Sequence, residues 1–158
     1  MLSDYGERMG KFKKLFAEAE KIVIGGGAGL SSAAGLTYAG KRFTDNFSDF
    51  IEKYGMTDMY SAGFYPFATP EEKWAYWSRH ICLNRWDPPA ADLYKKLYSL
   101  VKDRDYFVIT TNVDGQFEKA GFDARRIFAV QGDYGKLQCS RGCHDRLYDD
   151  EKLVREMV

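Results

Sequence analysis

Three stretches, far apart in the chain, carry residues whose types and spacing suit chemistry on a nucleotide. Gly25-Gly26-Gly27-Ala28-Gly29 follows the apolar run Ile22-Val23-Ile24 and precedes small residues fit to open a helix. Glycines permit positive φ angles and a close approach of backbone to ligand. Ser31 or Ser32 could cap the helix, whose free N–H groups would attract a phosphate. The stretch is a candidate phosphate cradle, but its spacing also describes a plain glycine turn. Ser32 stands where a G-x-G-x-x-G pattern wants its third glycine, and no strand ending in an acid follows about 20 residues on. The second stretch is Thr111-Asn112-Val113-Asp114 and the third Gln131-Gly132-Asp133. Their amides and carboxylates can bond sugar hydroxyls or a carboxamide, and Asn112 and Asp114 also suit a plain turn.

The elements that must position these residues follow from periodicity. Residues 21–24, 106–110 and 127–130 are short apolar runs bounded by turn signals, hence strands. Residues 3–20 place Met9, Phe12, Phe16 and Ala19 at helical spacing. Residues 91–101 form another amphipathic helix, with Leu93, Leu97 and Leu100 on one side. Helices between such strands predict a Rossmann-like α/β fold: a parallel sheet with helices on both faces, its strand ends carrying the three stretches. Residues 44–86 are aromatic and helix-rich, a helical insertion in which Pro70 and the acids after it start a helix. His80 and Cys82 within it are assigned no chemistry, and Asp133 and Tyr134 no role. Residues 36–43 read as a polar loop able to fold over a ligand.

Composition narrows the class. At 158 residues the chain can hold one domain, and its 23 basic and 23 acidic residues cancel, which gives no reason to expect nucleic acid. Nothing resembles a signal peptide or membrane span, so a cytoplasmic protein is expected. Three cysteines, two of them spaced as Cys139-x-x-x-Cys143, suit a reducing compartment and a metal site better than a disulfide framework.

Taken together, the three stretches resemble the sirtuin family over residues 21–143. Gly27-Ala28-Gly29-Leu30-Ser31, with Ala34-Gly35-Leu36, looks like its NAD-binding glycine loop. Thr111-Asn112-Val113-Asp114, with Ala120-Gly121, looks like its T-Q-N-[IV]-D segment, and Gln131-Gly132 stands where its His-Gly stands. Cys139 and Cys143 match half of its structural zinc module, whose start would occupy residues 132–158 with two of four ligands. The resemblance implies NAD as cofactor, held by Gly27, Ala28, Gly29, Ser31, Gly35, Leu36, Arg42, Phe43, Thr111, Asn112, Val113, Asp114 and Gln131. It implies catalytic roles for Asn112, Asp114 and Gln131.

The departures choose the branch. Thr37-Tyr38-Ala39-Gly40-Lys41-Arg42-Phe43 replaces the family's P-D-F-R region, Thr111 its glutamine and Gln131 its general-base histidine. This set is similar to the macrodomain-associated class M, which implies protein ADP-ribosyl transfer onto a lipoyl-carrier protein. A glutamine amide accepts no proton near neutral pH, and losing a general base costs roughly 10²–10⁴ in rate. Transfer of ADP-ribose needs less: release of nicotinamide, support of an electron-poor C1′, and a nucleophile. Asn112 could bond the ribose or a water, Asp114 the nicotinamide amide, and Gln131 the ribose hydroxyls or acceptor. A lysine deacylase, an NAD hydrolase and a non-catalytic NAD-binding module remain alternatives. Because nothing after Cys143 reads as further strands for the adenosine end, the chain is expected to be a fragment that binds NAD weakly. The residues leave its oligomeric state open.

Overall fold

The computed structural model describes residues 2–158. Strands β1 (Lys21–Gly26), β2 (Asp105–Thr110) and β3 (Ile127–Ala129) form a parallel sheet in that order. Gly26 pairs with Thr110, and Thr110 with Ala129, so all three strands end level at one sheet edge. Parallel pairing in register is what brings residues about 100 positions apart to a common edge.

Side chains alternate along these strands, and the alternation separates two unlike faces. Tyr106 and Val108 are buried, with Ile22, Ile24 and Ile127 packed beside them. They meet Tyr94 and Val101 of helix α7 (Asp92–Val101), Phe117 of helix α8 (Gln116–Lys119) and Phe122. Helix α1 (Leu2–Glu18) adds Phe16 to this cluster. The opposite face shows Val23, Phe107, Ile109 and Phe128 to solvent. Among the described residues helices therefore cover one face, where both were expected. The expected leucine stripe of α7 also shifts: Tyr94 and Val101 are buried while Leu100 is exposed, because the helix is turned to bring Tyr94 under the strand ends.

Between β1 and α7 lies a helical unit with its own core. Its helices are α3 (Lys41–Asn46), α4 (Ser48–Tyr54), α5 (Met59–Ala62) and α6 (Pro70–Ile81), after a short α2 (Ala28–Ala33). Phe43, Phe47, Phe50, Met59 and Tyr76 pack together at its centre. α6 begins at Pro70 as its sequence predicts, with Glu71 and Glu72 in the first turn; the Thr69 hydroxyl, not foreseen as a cap, accepts from the Glu72 N–H. It ends in a π-helix, Cys82–Trp86. The chain closes with an antiparallel pair, β4 (Lys136–Gln138) and β5 (Leu147–Asp149), and helix α9 (Glu151–Met157), whose Val154 packs on Ile81 and Cys82. No described helix is long and apolar enough to cross a membrane.

Candidate functional site

The glycine turn works differently from expectation. None of Gly25, Gly26, Gly27 or Gly29 has a positive φ. Gly26 is needed for proximity instead: a Cβ there would sit 2.7 Å from the Phe117 ring. Gly27 is extended and opens α2 with no side-chain cap, so the capping role expected of Ser31 or Ser32 is not taken up. Gly35, at φ 90, closes α2: its N–H donates to the Ser32 carbonyl and that of Leu36 to the Ser31 carbonyl, a Schellman turn that requires glycine.

Ser31, inside α2, has a different partner. Its hydroxyl donates to Asp114 Oδ2 at 2.5 Å, and it lies 2.9 Å from the Tyr94 hydroxyl. With its one proton committed to the carboxylate, Ser31 must accept from Tyr94. The Tyr94 oxygen in turn accepts from Asn112 Nδ2 at 3.1 Å, and Asn112 Nδ2 also donates to the Gly27 carbonyl at 3.0 Å. A one-way chain of hydrogen bonds thus runs from Asn112 through Tyr94 and Ser31 to Asp114, joining the first two strand ends. It holds the Asn112 amide in one orientation, with Oδ1 still free to accept. The second oxygen of Asp114 accepts the Gln116 N–H at 3.0 Å. A buried carboxylate satisfied in this way is fixed in place before any ligand arrives.

The third strand end meets the other two across a cavity of about 450 Å³ lined by Ala28, Ser31, Leu36, Thr111, Asn112, Val113, Asp114 and Gln131, with Tyr38, Tyr60, Asn84 and Tyr134 forming the far wall. Gly27, Gly29, Gly35, Arg42 and Phe43 do not line it. Arg42 donates instead to the Thr37 and Leu83 carbonyls and to Asn84 Oδ1, and Phe43 is buried in the core of the helical unit. The segment expected to be a ligand-covering loop is helical from Lys41, which turns both side chains inward.

Comparison with known proteins bears on this geometry. No family model matches the chain. It is 48% identical over 141 residues to the protein ADP-ribosyltransferase of Staphylococcus aureus (strain Mu50 / ATCC 700699), covering 89% of this chain and 45% of the relative. It is 32% identical to a probable bifunctional ADP-ribose hydrolase/ADP-ribosyltransferase of Fusarium oxysporum f. sp. cubense, covering 92% of this chain and 25% of the relative. A Sir2 homologue solved as an NAD complex superposes with a TM-score of 0.64 at 21% identity, covering 89% of this chain and 51% of that one. The chain is sirtuin-like. It spans less than half the length of these two curated relatives.

In this sirtuin-like chain the sequence reading overlooked the tyrosines and what lies behind them. Tyr134, assigned no role, lines the cavity and stands 3.5 Å from Tyr38, hydroxyl to hydroxyl. Burial pushes both phenols up, so they face the cavity as neutral groups. His80 is enclosed by Tyr38, Tyr76, Trp77 and Tyr134. Tyr76 donates its proton to the Met59 carbonyl, so His80 Nδ1 carries hydrogen and donates to the Tyr76 oxygen. Nε2 is then a buried acceptor with no partner among the described residues.

Burial, with the Arg42 charge adding, holds the His80 pKa down to about 3. As pH falls below the unfolded value near 6.5, the unfolded chain takes up this proton first, and stability is lost from there down through the folded pKa. Between pH 7 and 5 the wild type should lose about 2 kcal/mol more than His80→Gln. Urea melts at the two pH values check this, and equal losses in both proteins would refute it.

Near β4 and β5, Cys139, Cys143 and His144 bring their ligand atoms within 4.8 Å of one another, and the two sulfurs are 3.1 Å apart. His144 thus joins the cysteine pair despite adjoining Cys143 in sequence. Three donors fall one short of the four that a structural zinc takes, and tetrahedral Zn–S bonds of about 2.3 Å would hold two sulfurs roughly 3.8 Å apart. The three residues could hold a metal ion but do not form a complete zinc geometry.

Proposed function

We propose that the chain provides the nicotinamide-ribose end of an NAD-dependent protein ADP-ribosyltransferase of sirtuin type, with a lipoyl-carrier protein as acceptor. The observation that carries the reading is an amide at the third strand end, Gln131, across one cavity from the fixed pair Asn112 and Asp114. NAD supplies an activated C1′–nicotinamide bond; the protein's part is to orient it and keep water away from it. Asp114, already accepting two hydrogen bonds, has lone pairs left for a carboxamide N–H, which suits nicotinamide. Asn112 Oδ1 can accept a ribose hydroxyl and place partial negative charge near the carbon that becomes electron-poor as nicotinamide departs. Gln131 can donate and accept without removing a proton, so it orients an acceptor and does not activate a ribose hydroxyl. The neutral tyrosine wall adds an apolar, uncharged boundary. The names of the two curated relatives support transfer over deacylation, and the NAD complex of the Sir2 homologue supports the ligand. The proposal extends to zinc at Cys139 and Cys143, with His144 as a third donor, and to a cytoplasmic location.

The test incubates the full polypeptide with adenylate-labelled NAD and either a lipoyl-carrier protein or an acyl-lysine peptide. Nicotinamide release that rises with the carrier, together with label on it, is expected. O-acyl-ADP-ribose from the peptide, or release indifferent to any acceptor, would replace the reading with deacylation or hydrolysis. Gln131→His should lose transfer to the carrier while gaining peptide deacylation above the wild type.

A further inference from the structure

A π-helix turn is wider than an α-turn and recurs at functional positions. Over Cys82–Trp86 it turns two consecutive side chains inward, Asn84 and Arg85, which are 1% and 7% exposed. Asn84 faces the cavity. Arg85 reaches the other way, beneath the loops that frame it. Its Nε and Nη2 hold the two oxygens of Asp133 at 2.7 and 3.0 Å, and Nη2 also meets Glu118 at 3.3 Å. The guanidinium lies so close to Gly115 that a Cβ there would fall 2.2 Å from its central carbon. Asp133 lies two residues after Gln131, and Gly115 directly follows Asp114. The same two loops are joined again by the Tyr134 N–H donating to the Val113 carbonyl at 3.0 Å. Behind the guanidinium, 4.7 Å away, sits the Trp86 ring, which also fills the space over Gly135.

We infer that Arg85 is a positioning residue for the proposed transfer, setting the loop that carries Gln131 against the loop that carries Asp114. The inference rests on the functional reading above. A planar, permanently charged fork from the buried Arg85 onto the half-buried Asp133 carboxylate fixes direction as well as distance. Lysine can hold Asp133 at one point, but it cannot span both oxygens while lying flat on the Gly115 backbone. A surface ion pair of the same chemistry does no such work: Arg79 grips Asp49 through two bonds on the exposed side of the helical unit, far from either loop in sequence.

The test compares wild type, Arg85→Lys, Asp133→Asn, the double variant and Arg79→Lys as full polypeptides. Each is assayed for nicotinamide release from NAD and for amide hydrogen exchange. Arg85→Lys and Asp133→Asn should each lower kcat by roughly 10²-fold, the cost of a misplacement near 1 Å, with KM for NAD within about threefold. The double variant should be no worse than either, since one unit is broken once. The Tyr134 amide should exchange at least about tenfold faster while β2 amides hold, which separates loop displacement from global unfolding. Arg79→Lys should match wild type. An active wild type beside variants of equal kcat, or variants whose Tyr134 exchange is unchanged, overturns the positioning role alone. A wild type that releases no nicotinamide overturns the functional reading, and this role with it.

Discussion

Replacing Asn112 with alanine should cut nicotinamide release from NAD by about 10²–10³-fold, the usual cost of removing one group aimed at developing charge. The side chain has two jobs. Its Nδ2 group holds the Gly27 carbonyl and the Tyr94 hydroxyl, and Oδ1 is the atom left to face a ligand. Truncation removes both, and the lost hydrogen bonds cost about 1 kcal/mol each, so rates must be compared at equal folded fraction. Asn112→Asp separates the roles. It keeps an acceptor at Oδ1 but sets a carboxylate oxygen against the Gly27 carbonyl, which should shift the glycine turn. Asp114→Asn should fail for a related reason, because an amide nitrogen at Oδ2 would meet the proton that Ser31 donates. Initial rates by chromatography of nicotinamide, alongside melting curves, decide the matter. NAD consumption by folded Asn112→Ala at the wild-type rate would end the assignment.

Much of the frame was legible because it rests on local pattern. The β-branched runs at residues 22–24 and 106–110 specify strands, and the helical segments between them specify parallel pairing, which carries Asn112, Asp114 and Gln131 to one edge. The helix start at Pro70 was equally readable, since the proline and the acids after it are adjacent in sequence, whereas the Thr69 cap ahead of them went unread. What escaped depends on partners distant in sequence. Gly26 is glycine because Phe117 packs on it about 90 residues later, and no local rule distinguishes that need from a positive φ. Tyr94 looks like one more apolar position on an amphipathic helix until Ser31 and Asn112 arrive on either side of its hydroxyl. Tyr134 follows an unremarkable turn, and only the fold places it opposite Tyr38. Arg42 carried the opposite lesson: it sits where the sirtuin resemblance places a ligand contact, but three hydrogen bonds to nearby acceptors tie it into the wall. A signal for the π-helix could have come from Asn84-Arg85, two polar residues that no single α-helical face would bury together.

Gly115→Ala should be the most destabilising single methyl group in the chain. Gly115 has φ +64, and the added Cβ would lie 2.2 Å from the Arg85 guanidinium carbon. The left-handed backbone costs a non-glycine residue on the order of 1 kcal/mol. Displacing the guanidinium costs more, because Arg85 is then a buried charge parted from the half-buried Asp133; breaking a fully buried pair costs about 3–5 kcal/mol, which bounds this contribution from above. A loss of roughly 3 kcal/mol would consume much of the 5–15 kcal/mol that a domain of this size has, and lower Tm by about 6–12 °C. Gly55→Ala isolates the backbone part, since Gly55 has φ +65 with open space where its Cβ would go; that variant should lose only the first contribution. Relief of the overlap supplies the last check. In Gly115→Ala with Arg85→Ala the clash is gone, so the double variant should be more stable than the summed single losses require. Thermal melts of the wild type, the three single variants Gly115→Ala, Gly55→Ala and Arg85→Ala, and the double variant measure all of this. Equal melting of Gly115→Ala and Gly55→Ala would mean that the guanidinium does not lie on the Gly115 backbone, and the tether between the Asp114 and Gln131 loops would fall with it.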